Sequence, residues 1–295
     1  MTLTRRRFLS ISAAALAAPS AAVAGQSARW NGVALGAPAT MILAGVTSLE
    51  ARPVFAALEA ELRRLERIFS LYRDDSALVR LNTDGRLDAP PPELLEVLAL
   101  AGAIHDATGG AFDPSVQPLW QARAAGREET AAQSHVGWQS VRFDAGTVRF
   151  DRPGMALTLN GIAQGYVSDR IAGLLAARGF GDVLVDIGEV VARGRRADGA
   201  AWRAGIADPD RRVVERVTLR DRALATSAPM GTVMPGGRGH IIDPSGRAPR
   251  HALVSVSARR ASVADGLSTA LCLLDAGAAR RAVARFAGAR IEVFT

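Results

Sequence analysis

Leu157-Thr158-Leu159-Asn160-Gly161-Ile162-Ala163-Gln164-Gly165-Tyr166, read on to Arg193, decides the fold class. Leu157 and Leu159 alternate with polar neighbours, as in a strand, and Asn160-Gly161 ends the run. A helix is predicted over 162–178. Two strands follow it, 183–187 and 190–193, broken at Gly188. Toward the C-terminus, strands are predicted at 202–207, 213–219, 224–227 and 253–258. A helix around Asp265, another over 275–285 and a closing strand at 289–294 complete that half. Strands and helices intermix without the regular alternation of a doubly wound sheet, so the expected class is α+β, mixed sheets with packed helices.

The N-terminal half agrees. Residues 26–30 read as a linker and 40–46 as a strand. Phe55, Leu58, Leu62, Leu65 and Phe69 keep helical spacing within 50–69, with Glu and Arg on the other face. Ser76 is placed to cap a short helix over 77–81, and Asn82-Thr83-Asp84-Gly85 reads as a turn. A helix from Glu93 to about Thr108 follows the proline run 90–92 and ends at Gly109-Gly110. Residues 111–114 form a loop, 121–134 a polar surface segment, and Asp144-Ala145-Gly146 turns a hairpin between 141–143 and 148–150. No internal repeat divides the chain. Residues 25–295 are expected to form one unit.

The first 24 residues carry a different signal. Arg5-Arg6-Arg7-Phe8-Leu9 precedes an apolar, alanine-rich run over 11–18, and Ala22-Val23-Ala24 supplies small residues for cleavage. This pattern reads as an export signal of the twin-arginine type, which places the mature protein in the periplasm. The run is too short for a membrane span, which needs roughly 20 apolar residues. Removal of the segment lowers the formal charge from +7 to +4. All 36 basic side chains are arginine; they are scattered and aromatics are few, so no nucleic-acid footprint is present. The single cysteine, Cys272, lies in an apolar stretch and reads as a core residue.

The candidate chemistry is concentrated in the last third. His240-Ile241-Ile242-Asp243-Pro244 places a histidine before a turn. Asp265 and Thr269 lie at i and i+4 on the predicted helix, so their oxygens share a face and suit a hard cation. Two readings of Asp265 stand from the residues alone: a metal ligand, or a cap or ion-pair partner on a surface helix. His240 likewise reads as a general base or as a turn-stabilising side chain. His105, His135 and His251 lack such a context and read as structural. Gly161 and Gly165 flank a helix start, where backbone N–H groups can face phosphate.

An ordered series of segments resembles the ApbE family of FAD:protein FMN transferases across nearly the whole chain beyond residue 24. Phe69-Ser70-Leu71-Tyr72 with Ser76 and Asn82 is similar to the family's FSxYxxxS…N segment, and Gly109-Gly110-Ala111-Phe112-Asp113-Pro114 to its GGAFDP. Asn160-Gly161-Ile162-Ala163-Gln164-Gly165-Tyr166 with Asp169 is similar to GGIAKGYxxD. Val185-Asp186-Ile187-Gly188 resembles vniGG, and Ala225-Thr226-Ser227 resembles aTSG. His240 to Pro244 and Ala264-Asp265 with Thr269 complete the series.

The resemblance implies the family's fold and a Mg2+-dependent enzyme that uses FAD as substrate. FMN would pass to a Thr or Ser hydroxyl of an exported redox protein, with release of AMP. It implies His240 as the general base, and Asp265, Thr269 and the Gly161 carbonyl as metal ligands. Tyr72, Ala111, Phe112, Asp113, Asn82 and Ile242 would contact FAD, with Leu35 at a position where the family has methionine. Thr158 stands where many members have aspartate, Asn160 and Glu189 where they have glycine, and Gln164 where they have lysine. Thr158 and Gln164 keep hydrogen-bonding groups at the cofactor but lose charge, and charge-assisted bonds are roughly twice as strong as neutral ones. Two further activities remain open from the residues: an FAD pyrophosphatase giving FMN and AMP, and a non-catalytic FAD-binding assembly factor for a respiratory complex.

Overall fold

A computed structural model describes residues 25–295, so the expected export signal lies outside the described residues. Strands β1 (Ser27–Ala34) and β2 (Ala37–Ala44) form an antiparallel hairpin. Residues 26–30 are therefore not a linker: β1 presents Ala28 and Ala34 to the core and alternates exposed residues between them. Helix α1 (Ser48–Phe69) starts at Thr47, whose hydroxyl accepts the Glu50 N–H while Glu50 accepts the Thr47 N–H. Such reciprocal caps contribute about 1 kcal/mol. Leu58, Leu62, Leu65 and Phe69 are its buried stripe.

Helix α2 (Ala77–Asp84) is capped by the Ser76 hydroxyl, which accepts the Val79 N–H. It runs one turn further than its sequence suggests: Asn82, Thr83 and Asp84 are helical, and Gly85 ends the helix at φ +69°. Strand β3 (Arg86–Asp88) and helix α3 (Pro92–Ala107) follow. Residues 121–134 are not wholly a surface segment, because helix α4 (Gln117–Ala124) buries Leu119 and Ala122; the short α5 (Thr130–Gln133) is exposed. Strands β4 (Val141–Phe143) and β5 (Thr147–Phe150) make the expected hairpin, with β3 paired on the other side of β5.

Leu157 to Leu159 do not form a ladder strand. The partners of the segment are irregular: the Asn82 side chain donates to Leu157 O at 2.8 Å and accepts the Leu157 N–H at 2.7 Å. Thr158 N–H donates to Pro114 O at 2.8 Å. One asparagine amide thus supplies the donor and acceptor that a neighbouring strand would supply.

Helix α6 (Ala163–Ala177) then leads to β6 (Val183–Asp186), β7 (Val190–Arg193), the ribbon β8 (Trp202–Ala207) and β9 (Val213–Leu219), and β10 (Arg222–Ser227). A small hairpin, β11 (Val233–Met234) and β12 (Arg238–Gly239), precedes β13 (Val254–Ala258). Helices α7 (Ala261–Leu271) and α8 (Ala276–Ala284) and strand β14 (Arg290–Phe294) close the chain.

The main sheet has the order β1-β2-β6-β7-β10-β13-β14, antiparallel throughout. Both faces are buried, and the strand period sorts them. Met41, Leu43, Val183, Val185, Val191, Ala223 and Ala225 face the core shared with α1, α3, α6 and α7. Ile42, Leu184, Val190, Ala192 and Leu224 face the β8–β9 ribbon through Trp202, Ala204, Ile206 and Leu219. The class is α+β. Among the described residues no helix is long and apolar enough to cross a membrane.

Candidate active site

Helices α6 and α7 pack side by side, and each caps the other. The Asp169 carboxylate, on α6, accepts the Ala261 and Ser262 N–H groups at 2.7 and 3.0 Å and the Ser262 hydroxyl at 2.7 Å. It thus satisfies the first turn of α7, where the helix has no internal acceptors. In return Asp265, on α7, accepts the Gly165 N–H in the first turn of α6 at 3.0 Å. That N–H is therefore spent on a carboxylate and does not face phosphate. The approach is close: a Cβ on Gly165 would lie 2.4 Å from Ala261 O.

This pair forms one wall of a cleft. Asn160, Gly161 and Gln164 line it from the start of α6, and Asp265 and Thr269 from α7. The tip of the β6–β7 hairpin adds Gly188 and Glu189, and the end of β10 adds Thr226 and Ser227. The hairpin loop is three residues long, with Gly188 at φ +88°. Opposite lie Ala111, Phe112, Asp113, Thr158, His240, Ile241 and Ile242, with the half-exposed Tyr72 at the edge.

Asp265 is buried, which rules out its surface-helix reading. Burial pushes its carboxyl up, and the neighbouring Asp169 adds to this against the Gly165 hydrogen bond. Glu189 is raised well above the carboxylate range by burial and by the Asp265 and Asp186 carboxylates. Thr269 sits against Gly161, where a Cβ would fall 2.9 Å from Thr269 Oγ1. Ser227 Oγ lies 3.3 Å from the same hydroxyl and 2.8 Å from Ser268 Oγ.

Among the described residues no group of three or more His, Cys, Asp or Glu side chains is placed to hold a metal. The donor set at Asp265, Thr269 and the Gly161 backbone is of a different kind, one carboxylate with neutral oxygens. Such a set fits Mg2+, which binds few carboxylates and keeps several sites for water and phosphate. The buried carboxylates of this wall face no arginine among the lining residues, and the chain has no lysine, so the cavity favours a cation.

His240 Nδ1 lies 3.0 Å from Pro229 O, and the His240 N–H donates to the same carbonyl at 3.0 Å. A carbonyl only accepts, so the neutral ring carries its proton on Nδ1 and keeps a lone pair on Nε2. Burial lowers the His240 pKa, and the Pro229 and Thr232 carbonyls partly offset this by favouring the protonated ring. The histidine is therefore neutral at pH 7 and able to accept a proton.

The profile of the ApbE family matches residues 35–294. The chain belongs to the ApbE family. It is 29% identical over 297 residues to the FAD:protein FMN transferase of Salmonella typhimurium, covering 91% of this chain and 85% of that protein. The FAD:protein FMN transferase of Treponema pallidum is 33% identical over 264 residues, covering 76% and 73%. Among solved structures, the flavin transferase ApbE from Vibrio cholerae superposes with a TM-score of 0.78 at 27% identity, over 88% of this chain and 91% of that one. The ApbE protein from Thermotoga maritima does so with a TM-score of 0.78 at 26% identity, over 90% and 93%.

In this ApbE-family chain the residues singled out from sequence do not all meet. His240, Ile242, Tyr72, Ala111, Phe112, Asp113, Thr158, Gln164, Gly161, Asp265 and Thr269 line one cavity. Asn82 does not: both ends of its amide are held by Leu157, so it shapes the segment that presents Thr158. Leu35 lines a smaller adjoining pocket with Tyr72, Asn160 and Gln164, and its N–H donates to Glu66 at 2.8 Å. Asp113 lines the cavity, but its carboxylate is committed to the Ser115 N–H and hydroxyl and to the Trp138 N–H. It holds the loop rather than offering a free carboxylate. His105 supports the same loop through Nδ1, 2.9 Å from Phe112 O.

Two residues without an assigned role emerge only in three dimensions. Asp169 orients the helix that carries Asp265, and Glu189 reaches the cavity from a hairpin tip. The one sequence signal for Glu189 was its place at a position where the family pattern has glycine.

Proposed function

We propose that this protein is an exported, Mg2+-dependent FAD:protein FMN transferase acting in the periplasm on a Thr or Ser hydroxyl of a redox protein. The observation that carries the reading is the meeting, in one cleft, of a neutral histidine that keeps a lone pair on Nε2 and an oxygen donor set suited to a hard cation. The names of the relatives and the match along residues 35–294 support it. The N-terminal pattern supports export.

Asp265, Thr269 and the Gly161 carbonyl would hold Mg2+, which when bound offsets the charge that develops on the pyrophosphate. Phe112, Ile241 and Ile242 give the cleft an apolar wall against which a flavin ring can pack. Gln164 and Thr158 offer neutral hydrogen bonds. His240 Nε2 takes the proton of the acceptor hydroxyl. That oxygen forms a bond to the flavin-side phosphorus as the pyrophosphate P–O bond breaks, and AMP leaves with the bridging oxygen. The Pro229 and Thr232 carbonyls favour the imidazolium so formed.

The test is an in-gel flavin fluorescence assay with FAD, Mg2+ and an exported FMN-binding domain carrying an acceptor threonine, with and without chelator. A fluorescent acceptor band that survives denaturation and disappears with chelator is expected. AMP and free FMN without a band would replace the reading by a pyrophosphatase. FAD binding with neither product would replace it by an assembly factor.

A further inference from the structure

We propose that Glu189 is a further ligand of the cation held at Asp265 and Thr269, a carboxylate that this chain adds where the family pattern has glycine. The inference rests on the proposed function for the presence of that cation, and on this chain's own geometry for the role of Glu189.

Glu189 is 6% exposed and lines the same cavity as Asp265, Thr269 and Gly161. The Thr226 N–H hydrogen-bonds its carboxylate, while Oε2 is buried with no partner. A buried carboxylate oxygen without a partner is costly, and a second carboxylate beside it raises the cost. No arginine lines the cavity and the chain has no lysine to relieve it.

A second polar group without a partner lines the same cavity: Gln164, 7% exposed, whose Nε2 is unsatisfied. It packs over Gly188, where a Cβ would fall 2.5 Å from that nitrogen. An amide donor suits a phosphate oxygen, whereas a carboxylate oxygen suits a cation. The two orphaned groups therefore divide the site: Gln164 faces the anionic part of the substrate and Glu189 the cation. Relative to the family pattern, glutamine for lysine and glutamate for glycine each make this wall one charge more negative. Both changes strengthen its hold on a cation.

The backbone holds Glu189 in place. Ser168 Oγ donates to Glu189 O at 3.0 Å, and Ile187 N–H reaches the same carbonyl at 3.3 Å. The main chain that carries the side chain is thus fixed from α6 and from its own hairpin, and the Thr226 N–H is the contact to the carboxylate itself.

The experiment is a titration of the FAD-free protein with Mn2+, followed by the EPR signal of the free ion, for the wild type, E189Q and E189G. Each variant is expected to bind Mn2+ at least about tenfold more weakly, and to show a smaller rise in thermal midpoint on adding Mn2+. E189G carries the residue of the family pattern and guards against misfolding of E189Q. Affinity within about twofold of wild type in either folded variant would overturn the proposal. Failure of the transferase reading is separately visible. A wild type that binds Mn2+ through Glu189 but labels no acceptor refutes that reading and leaves this inference standing. Labelling with unchanged Mn2+ affinity in the variants does the reverse.

Discussion

Gly165→Ala isolates the contact on which the site's geometry depends. The added Cβ would meet Ala261 O at 2.4 Å, Ala261 C at 2.5 Å and Ser262 N at 2.7 Å. All three are backbone atoms at the start of α7, so no side chain can rotate away. Restoring ordinary contact requires the two helices to part by about 1 Å, since carbon–oxygen contacts tighter than roughly 3.4 Å are strongly repulsive. Overpacking of this kind costs about 1–3 kcal/mol, against a gain of at most about 1 kcal/mol from alanine in a helix. Subtracting the full gain leaves a net loss of up to about 2 kcal/mol, which corresponds to a fall of up to roughly 8 °C in thermal midpoint for a chain of this size. The effect on rate is expected to be larger. A shift of about 1 Å between α6 and α7 breaks the Gly165–Asp265 hydrogen bond and moves Asp265 and Thr269 away from Gly161, and such misplacements cost about 100-fold. Gly173→Ala on the same helix is the control, because nothing lies within 4 Å of its Cβ; it should stabilise by up to about 1 kcal/mol and leave transfer unchanged. Thermal unfolding and initial rates of acceptor labelling measure both. If Gly165→Ala is as stable and as active as Gly173→Ala, the close approach of the helices does not set the site.

Two further outcomes follow from buried titratable groups. Burial lowers the His240 pKa, so the rate of transfer should hold on acidification through pH 6.5 and fall only below it; His240→Ala should reduce kcat about 100-fold or more with FAD affinity little changed, and an unchanged kcat would remove the base role. Asp186, raised by burial from 3.8 to about 6, binds its proton more tightly folded than unfolded, so its contribution to stability is lost as pH rises from about 4 through 6. The loss is up to ~3 kcal/mol, so Asp186→Asn, the residue of the family pattern, should match wild type in urea unfolding at pH 3.5 and exceed it at pH 8; equal stability at both would show that the carboxyl is not strained.

The parts legible in the sequence are those whose partners are local. The stripe of α1, the β4–β5 hairpin and the β6–β7 hairpin are read from periodicity and turn residues alone. Strand β1 was hidden because its inner face offers only Ala28, Trp30, Gly32 and Ala34, one large apolar residue among small ones, and it is defined by pairing with β2. The opposite error arose at Leu157 and Leu159, whose alternation is that of a strand; Leu157 instead hydrogen-bonds Asn82, 75 residues earlier, and Leu159 O accepts from Ile162 and Ala163. No local pattern announces that partner. The same holds in the site. The spacing of Asp265 and Thr269 is visible on one helix, and the motif around His240 in one loop. That Gly165 N–H faces Asp265, that Asp113 is already committed, and that Glu189 arrives from a hairpin tip are consequences of packing between distant segments.

The exchange of caps between α6 and α7 joins stability to chemistry at one carboxylate. Asp265 is costly to bury, and the N–H at the start of α6 is one compensation, because a helix N-terminus favours negative charge. Asp169 provides the equivalent service to α7, and its own burial raises its carboxyl although Ala261, Ser262 and the more distant Arg260 pull it down. Two like charges are thereby kept near each other, a net cost in the cation-free protein. Each serves a different helix, so neither can be removed without freeing an end of the other helix. The proposed cation at Asp265 would relieve the repulsion. The helices are thus held in register by Asp169 and by Asp265, the carboxylate that lines the cleft. The proposed chemistry would rest on this frame, with the polar groups of the substrate left to Gln164, Thr158 and the loop held by Asp113.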